Sequence, residues 1–266
     1  MLDTLLWQPK TTPQQWCEGM PCIEIFSGIT LDQPSSTFLV YLLGGLWLWV
    51  AWRFWQVKEG HQSKKWWSIS MLFGGIAALC AGTSYQAFGY ELKCSGQEFC
   101  RWTSGWEIAY LMLQQVSLNA LLIAVAYSCT TGAWQRCLIM YSYATVAIHW
   151  AITIIGVVIA HKFMISFELL VLFSSPVFLV LFALNCYRYI QYKQPMDLAL
   201  LGVWIILTIT NAAYFAYMLL GVTQTLWAQG IWFSDNDLLH VLMMVWVLYI
   251  RLVVLPKVED ASSGAL

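Results

Sequence analysis

The residue types able to do chemistry gather in three stretches. The first is Ser234-Asp235-Asn236-Asp237-Leu-Leu-His240, which opens the last apolar run of the chain. On a helix, Asn236 and His240 stand four residues apart and Asp237 and His240 three apart, so one face carries an amide, a carboxylate and an imidazole. An imidazole beside a carboxylate serves as a general base or a metal ligand. The plain alternative is that Asp235 and Asn236 cap the helix while His240 bonds a neighbouring helix. The second stretch is Gly82-Thr-Ser84-Tyr-Gln86-Ala-Phe88-Gly89-Tyr90-Glu91, and the third holds Glu107, Gln114, Gln115, Ser117 and Asn119. Gln115 and Asn119 share a helical face. A single Gln, Asn, Ser or Thr in a span is explained by an interhelical hydrogen bond of roughly 1 kcal/mol or less. The concentration is what calls for a site: Ser84, Gln86, Glu91, Gln115, Asp235, Asn236, Asp237 and His240 all map to the same half of three apolar runs. If those runs are neighbours, they line a polar cavity that takes a metal ion or a polar lipid headgroup. Ionisable groups at membrane depth are costly and commonly mark such sites.

The elements that must position these residues are membrane spans. The chain has 266 residues, 60% hydrophobic and 10% charged, with 16 Trp; ordinary soluble domains carry roughly 25% charge. Seven apolar runs reach spanning length, at about 37–57, 67–89, 106–128, 137–160, 163–186, 198–220 and 236–255. The expected fold is all-α: a seven-helix membrane domain over 36–255, an N-terminal segment over 1–35 and a C-terminal tail over 256–266, its last six residues disordered. Ser174-Ser175-Pro176 predicts a kink in the fifth run. The N-terminus lacks the basic and apolar regions of a cleavable signal. A net charge of −1 offers no basic surface for nucleic acid. No lysine lies between Ile231 and Arg251, which excludes a rhodopsin-like Schiff base.

Orientation follows the basic residues. Arg53, Lys58, Lys64, Lys65, Arg136, Arg188, Lys193, Arg251 and Lys257, nine of the thirteen, fall on the side of the C-terminus. That predicts an outside N-terminus and a cytoplasmic C-terminus. Cys17, Cys22, Cys94 and Cys100 then lie on the outer side, suiting one or two disulfides in an oxidising compartment. Cys17–Cys22 with Cys94–Cys100, a crossed pairing, and a four-thiolate zinc site with loose spacing all remain open. Trp47, Trp49, Trp52, Trp55, Trp66, Trp67, Trp102 and Trp106 sit near span ends, as interfacial anchors do.

Three places carry a resemblance to a known group. Trp16-Cys17-Glu18 followed by Ile23-Glu24-Ile25-Phe26 is similar to the segment that precedes the first helix of alkaline ceramidases. Gly82-Thr-Ser84-Tyr-Gln-Ala-Phe88 is similar to their second-helix Ser motif. Asn236-Asp-Leu-Leu-His240-Val-Leu resembles their seventh-helix His-x-x-x-His motif. On these residues the chain resembles a remote member of the CREST superfamily, which includes alkaline ceramidases and progestin/adipoQ receptors. The resemblance implies a seven-helix core and a zinc ion activating water for attack on a lipid amide. It implies His240 and the Asn236 position as metal ligands, with Ser84 stabilising the oxyanion and Asp237 beside the imidazole. The chain departs from the pattern at several points. The second-helix histidine position is Phe88 or Gly89, the first seventh-helix histidine is Asn236, and the third-helix aspartate falls near Asn119.

Two functional readings follow. One is a membrane-embedded hydrolase of lipid amides or esters, with Ser84, Asp237 and His240 as its catalytic residues and Gln86, Glu91, Gln115, Asn119 and Asp235 lining its pocket. The other is a non-catalytic receptor or accessory protein that binds membrane lipid or a lipid-like small molecule and has lost the zinc ligands. A transporter ranks third, for want of internal repeats and clearly broken helices.

Overall fold

The computed structural model describes residues 2–25 and 28–261. Seven helices among these residues are long and apolar enough to cross a membrane: α1 (Pro34–Gln56), α2 (Gln62–Ala87), α3 (Gly105–Cys129), α4 (Gly132–Ile159), α5 (Phe167–Tyr192), α6 (Pro195–Leu219) and α7 (Asp235–Val254). The last turns of α2 (Thr83–Ala87) and α7 (Ile250–Val254) are wound as π-helix. Helix starts obey local chemistry. Pro34 and Pro195 occupy first-turn positions where a missing N–H costs nothing. Ser104, Ser166 and Ser234 cap α3, α5 and α7 through their hydroxyls. The fifth apolar run begins at 163, yet α5 starts only at Phe167, because Lys162–Ile165 forms a 3-10 turn that Ser166 terminates. α5 continues through Pro176, with the Ser175 hydroxyl donating to the Val171 carbonyl at 2.7 Å.

Six helices form a closed circuit in which α1 packs on α2, α2 on α3, α3 on α5, α5 on α6, α6 on α7 and α7 on α1; α4 packs mainly on α3. The closest approaches need glycine. A Cβ at Gly74 would fall on the Trp47 ring, and one at Gly75 would stand 3.1 Å from the Gly44 carbonyl oxygen. Trp47 therefore belongs to the core rather than to an interfacial belt, and Trp67, stacked on Phe54 at 5.6 Å, is fully buried too. Trp49, Trp52, Trp55 and Trp106 are exposed, as anchors should be. The apolar core fills the half of the bundle nearer the C-terminus, with Leu122, Val177, Leu181, Leu200, Val203 and Val247 at its centre.

Each end is closed differently. At one end, residues 2–25 and 28–33 weave with the α2–α3 link. Trp7 N–H donates to the Cys100 carbonyl, Cys100 N–H to Thr11 and Trp102 N–H to Leu5. Disulfides Cys17–Cys22 and Cys94–Cys100 lie in this cap. So does the antiparallel hairpin Ile23–Ile25/Ile29–Leu31, which an all-helical expectation omits. At the other, basic end, the C-terminal segment folds back as far as Ala261. Val258 is fully buried, and the Asp260 carboxylate accepts from Gln62 N and Ser63 N at 2.7 and 2.8 Å, capping α2. The expected loose tail thus begins no earlier than residue 262, and 262–266, like Phe26 of the first resembling segment, lie outside the described residues. Arg188, counted above as a link charge, is instead buried. Its Nε donates to Asp197 Oδ1 at 2.8 Å and its Nη1 to the Cys129 carbonyl.

Candidate functional site at the disulfide end

Polar side chains at the disulfide end form two nests on either side of the start of α1. The first is built on Glu107. Ser104 caps α3 and receives Glu107 N–H, but the Glu107 carboxylate does not return to the cap backbone as in a reciprocal capping box. It binds side chains of neighbouring segments instead. Oε1 accepts from Ser84 Oγ and from Lys93 Nζ, both at 2.8 Å, while Oε2 accepts from Thr103 Oγ1 at 3.0 Å. Ser84 and Ser104 hydroxyls lie 2.7 Å apart. Lys93 is 2% exposed, and its ammonium stands 5.1 Å from the Trp16 ring, 5.3 Å from Tyr85 and 5.7 Å from Trp7. A charge this deep is tolerated because a carboxylate and three π-faces replace its water. Beyond Trp16 lies Asp32, whose carboxylate accepts from Trp16 Nε1 and Tyr90 N, both at 3.0 Å. Burial pushes the Asp32 carboxyl up to about 6, against the downward pull of those two donors and of Lys93.

The second nest is the start of α7. Ser234, not Asp235 or Asn236, caps the helix. Its Oγ accepts from Asp237 N at 3.2 Å, and Asp237 Oδ2 accepts from Ser234 N at 2.6 Å, a reciprocal box. The same Oδ2 accepts from Ser35 Oγ at 3.1 Å, and Ser36 Oγ meets Ser234 Oγ at 3.1 Å, which fastens α7 to α1. Asp235 is tied to Thr223, accepting from its hydroxyl at 3.0 Å. His240 is buried, and its Nδ1 has no hydrogen-bond partner; neither has Asp237 Oδ1.

The π-wound end of α2 joins the nests. Winding the last turn as π leaves carbonyls without their helical donors. The start of α1 supplies replacements: Gln33 N and Thr37 Oγ1 donate to the Gln86 carbonyl at 2.9 Å, and Asp32 N donates to Ala87 at 3.0 Å.

The residues expected to share one hollow are therefore distributed. Ser84 belongs to the α2–α3 nest, and Asp235, Asp237 and His240 belong to α7. Glu91 accepts from Thr30 N at 2.9 Å and clasps the hairpin. Gln86 sends its backbone to α1, while its own Oε1 is buried without a partner. Gln115 and Asn119 lie deeper and face α5: Ser174 Oγ donates to Gln115 Oε1 at 3.3 Å, and Asn119 Nδ2 donates to the Gln115 carbonyl. α7 packs on α1 and α6, while Ser84 bonds to Glu107 of α3 and to its cap residue Ser104. Among the described residues no group of three or more His, Cys, Asp or Glu side chains that could hold a metal ion is present. Sequence reasoning left Lys93, Thr103, Ser104 and Asp32 out of the site and gave Glu107 no role. The spacing Ser104-x-x-Glu107 was the available signal, as Ser234-x-x-Asp237 was for the α7 cap.

A cavity of about 650 Å³ opens beside the first nest, lined by Leu2, Leu92, Arg101, Thr103, Ser104, Gly105, Trp106 and Ala109. Arg101, Thr103 and Ser104 are its polar lining residues, and Leu2, Leu92, Trp106 and Ala109 its apolar ones. No curated protein and no solved structure gives a significant match to the chain. A family model does match, over residues 36–256. The match covers the seven helices but for Pro34 and Ser35, includes Ser84, Glu107, Asp237 and His240, and leaves Trp7, Trp16, Asp32 and Ser35 outside. On that extent the chain belongs to DUF6962, a family of unknown function.

Proposed function

We propose that this multi-pass membrane protein binds a lipid-like amphiphile at its disulfide end and does not hydrolyse it. That end faces outward into an oxidising compartment and the C-terminus lies in the cytoplasm. The observation that carries the reading is the cavity beside Ser104, lined by both polar and apolar residues. Ligand pockets of this size combine apolar lining with a few convergent polar groups. The exposed Trp106 places the apolar lining at interfacial depth, where an acyl chain can run from the cavity into lipid. The CREST-like motifs support a lipid as the ligand class.

The bonding of Ser84 supports binding without turnover. A serine nucleophile needs a strong neighbouring base. Its partner Glu107 already accepts from Lys93 and Thr103 and is neutralised by the ammonium. The imidazole of His240 belongs to the other nest. Among the described residues no three metal-binding side chains gather, and no step is assigned to a metal.

The test uses full-length protein in nanodiscs with a photoreactive ceramide analogue and a photoreactive phospholipid. Saturable labelling is expected, lost in Ala109→Trp, which fills the cavity without touching either nest. Absence of saturable labelling by both probes would overturn the binding reading. Release of fatty acid, abolished by Ser84→Ala, would replace it with the hydrolase.

A further inference from the structure

At the basic end, α1, α2 and α7 leave a second pocket, of about 260 Å³, between Arg53, Val57, Lys64, Arg251, Leu255 and Pro256. Three of these six residues are cations and none is an acid. Each comes from a different helix: Arg53 from the last turn of α1, Lys64 from the first turn of α2 and Arg251 from the π-wound end of α7. Three cationic residues whose stems line one pocket repel one another unless an anion lies between them. Among the described residues no carboxylate lines the pocket, and the buried ion pairs Lys93–Glu107 and Arg188–Asp197 lie elsewhere. The nearby carboxylate of Asp260 is committed to the backbone of Gln62 and Ser63. Arg251 Nε is buried without a hydrogen-bond partner. Arg53 donates to Gln56 Oε1 at 3.1 Å and keeps its other donors.

The pocket's walls are apolar, from Val57, Leu255, Pro256 and the methylene stems of the basic residues, so a bare hydrated anion gains little inside it. An anion that carries its own apolar part suits it better. The surroundings set its depth. The Arg53 and Arg251 guanidinium groups each stand 5.7 Å from an indole, Trp52 and Trp49. Both indoles are exposed on the bundle surface, as residues at the headgroup boundary are. We propose that this pocket is a binding site for the phosphate headgroup of an anionic membrane lipid from the leaflet at that end, with the start of an acyl chain against Val57, Leu255 and Pro256. Basic pockets between spans at the cytoplasmic side recognise lipids of this class. The site is separate from the cavity at the disulfide end, and neither depends on the other.

The test is native mass spectrometry of the full chain in neutral detergent. It is titrated with dioctanoyl phosphatidylinositol phosphate, with dioctanoyl phosphatidylcholine and with inorganic phosphate. One equivalent of the anionic lipid is expected to bind in clear preference to phosphatidylcholine. Affinity should fall about fivefold for each of Arg53→Gln, Lys64→Gln and Arg251→Gln, and on the order of a hundredfold in the triple variant. Higher salt should weaken binding. Arg136→Gln with Lys193→Gln removes two charges from the same end outside the pocket and should change nothing. Equal loss in that control, or equal binding of phosphatidylcholine, would overturn the site. Inorganic phosphate binding as tightly as the lipid would overturn the lipid as occupant. Should the triple variant unfold, the charge-preserving Arg251→Lys and the three single variants decide the matter, because retained affinity in all three singles overturns the proposal as well.

Discussion

Lys93 and Glu107 show how a few atoms at the disulfide end decide what the rest can do. Either charge alone at that depth would be strongly unfavourable. Together, with Ser84, Thr103 and three aromatic rings, they are satisfied. Removing one partner strands the other. Glu107→Gln is expected to cost about 3–5 kcal/mol of stability, and Glu107→Gln with Lys93→Met to recover much of it. Thermal unfolding of the four chains of that cycle checks the coupling; additive losses would show that the pair is not the source. Asp32 yields a prediction with a definite sign. Its carboxyl titrates at about 6 in the folded chain against 3.8 for the unperturbed group, so the folded state holds the proton more tightly. The contribution is present in full below about pH 4 and is lost as pH rises through 6, a change of about 3 kcal/mol at most. Asp32→Asn keeps a side-chain acceptor for Trp16 and never ionises. The difference in melting temperature between variant and parent should therefore grow in the variant's favour from pH 4 to 7. A constant difference across that range would mean Asp32 is not the titrating group.

At the scale of elements, the informative features are the places where a regular helix is interrupted or approached too closely for a side chain. The π-wound end of α2 surrenders the Gln86 and Ala87 carbonyls to α1, and α1 in turn holds Asp237 and Ser234 through Ser35 and Ser36. The start of α1 is thus the mechanical link between the two nests. Glycine does the corresponding work in the core, where Trp47 lies across Gly74. Gly74→Val should cost about 1–3 kcal/mol or more through overpacking, and Trp47→Leu on top of it should recover part of the loss. No recovery in the double variant would place the strain elsewhere. This level was only partly legible in the sequence. The apolar runs located α1 to α7 because lipid demands about twenty apolar residues in a row. Capping signals were present at Ser104 and Ser234, yet Asp235 and Asn236 drew attention as caps because they are the more polar pair. Nothing in a run of apolar residues tells which helix faces which. The expected meeting of Ser84 with His240 depended on that order, and each instead has its own local partners, Glu107 and Ser104 for Ser84 and Asp237 beside His240.

At the scale of the molecule, the two ends differ in chemistry more than in shape. One end is a woven cap with two disulfides, a hairpin and paired charges. The other is a short collar rich in Lys and Arg, closed by the returning C-terminal segment. Lysine and arginine stay on the side of synthesis because moving them across the bilayer is costly, and disulfides persist where the compartment is oxidising. Both arguments support the proposed orientation, with the woven cap outside, and they are independent of each other. The prediction is tested with single cysteines in chains carrying Cys137→Ser and Cys186→Ser, which remove the free thiols that are not fully buried. Gln229→Cys lies in the link between α6 and α7 and Lys193→Cys in the link between α5 and α6, and both positions are exposed. In intact cells or sealed vesicles, a membrane-impermeant maleimide should label Gln229→Cys at once and Lys193→Cys only after permeabilisation. The reverse pattern would invert the molecule. It would set the disulfides in the reducing compartment and leave the three-cation pocket facing the leaflet that cells keep poor in anionic lipid.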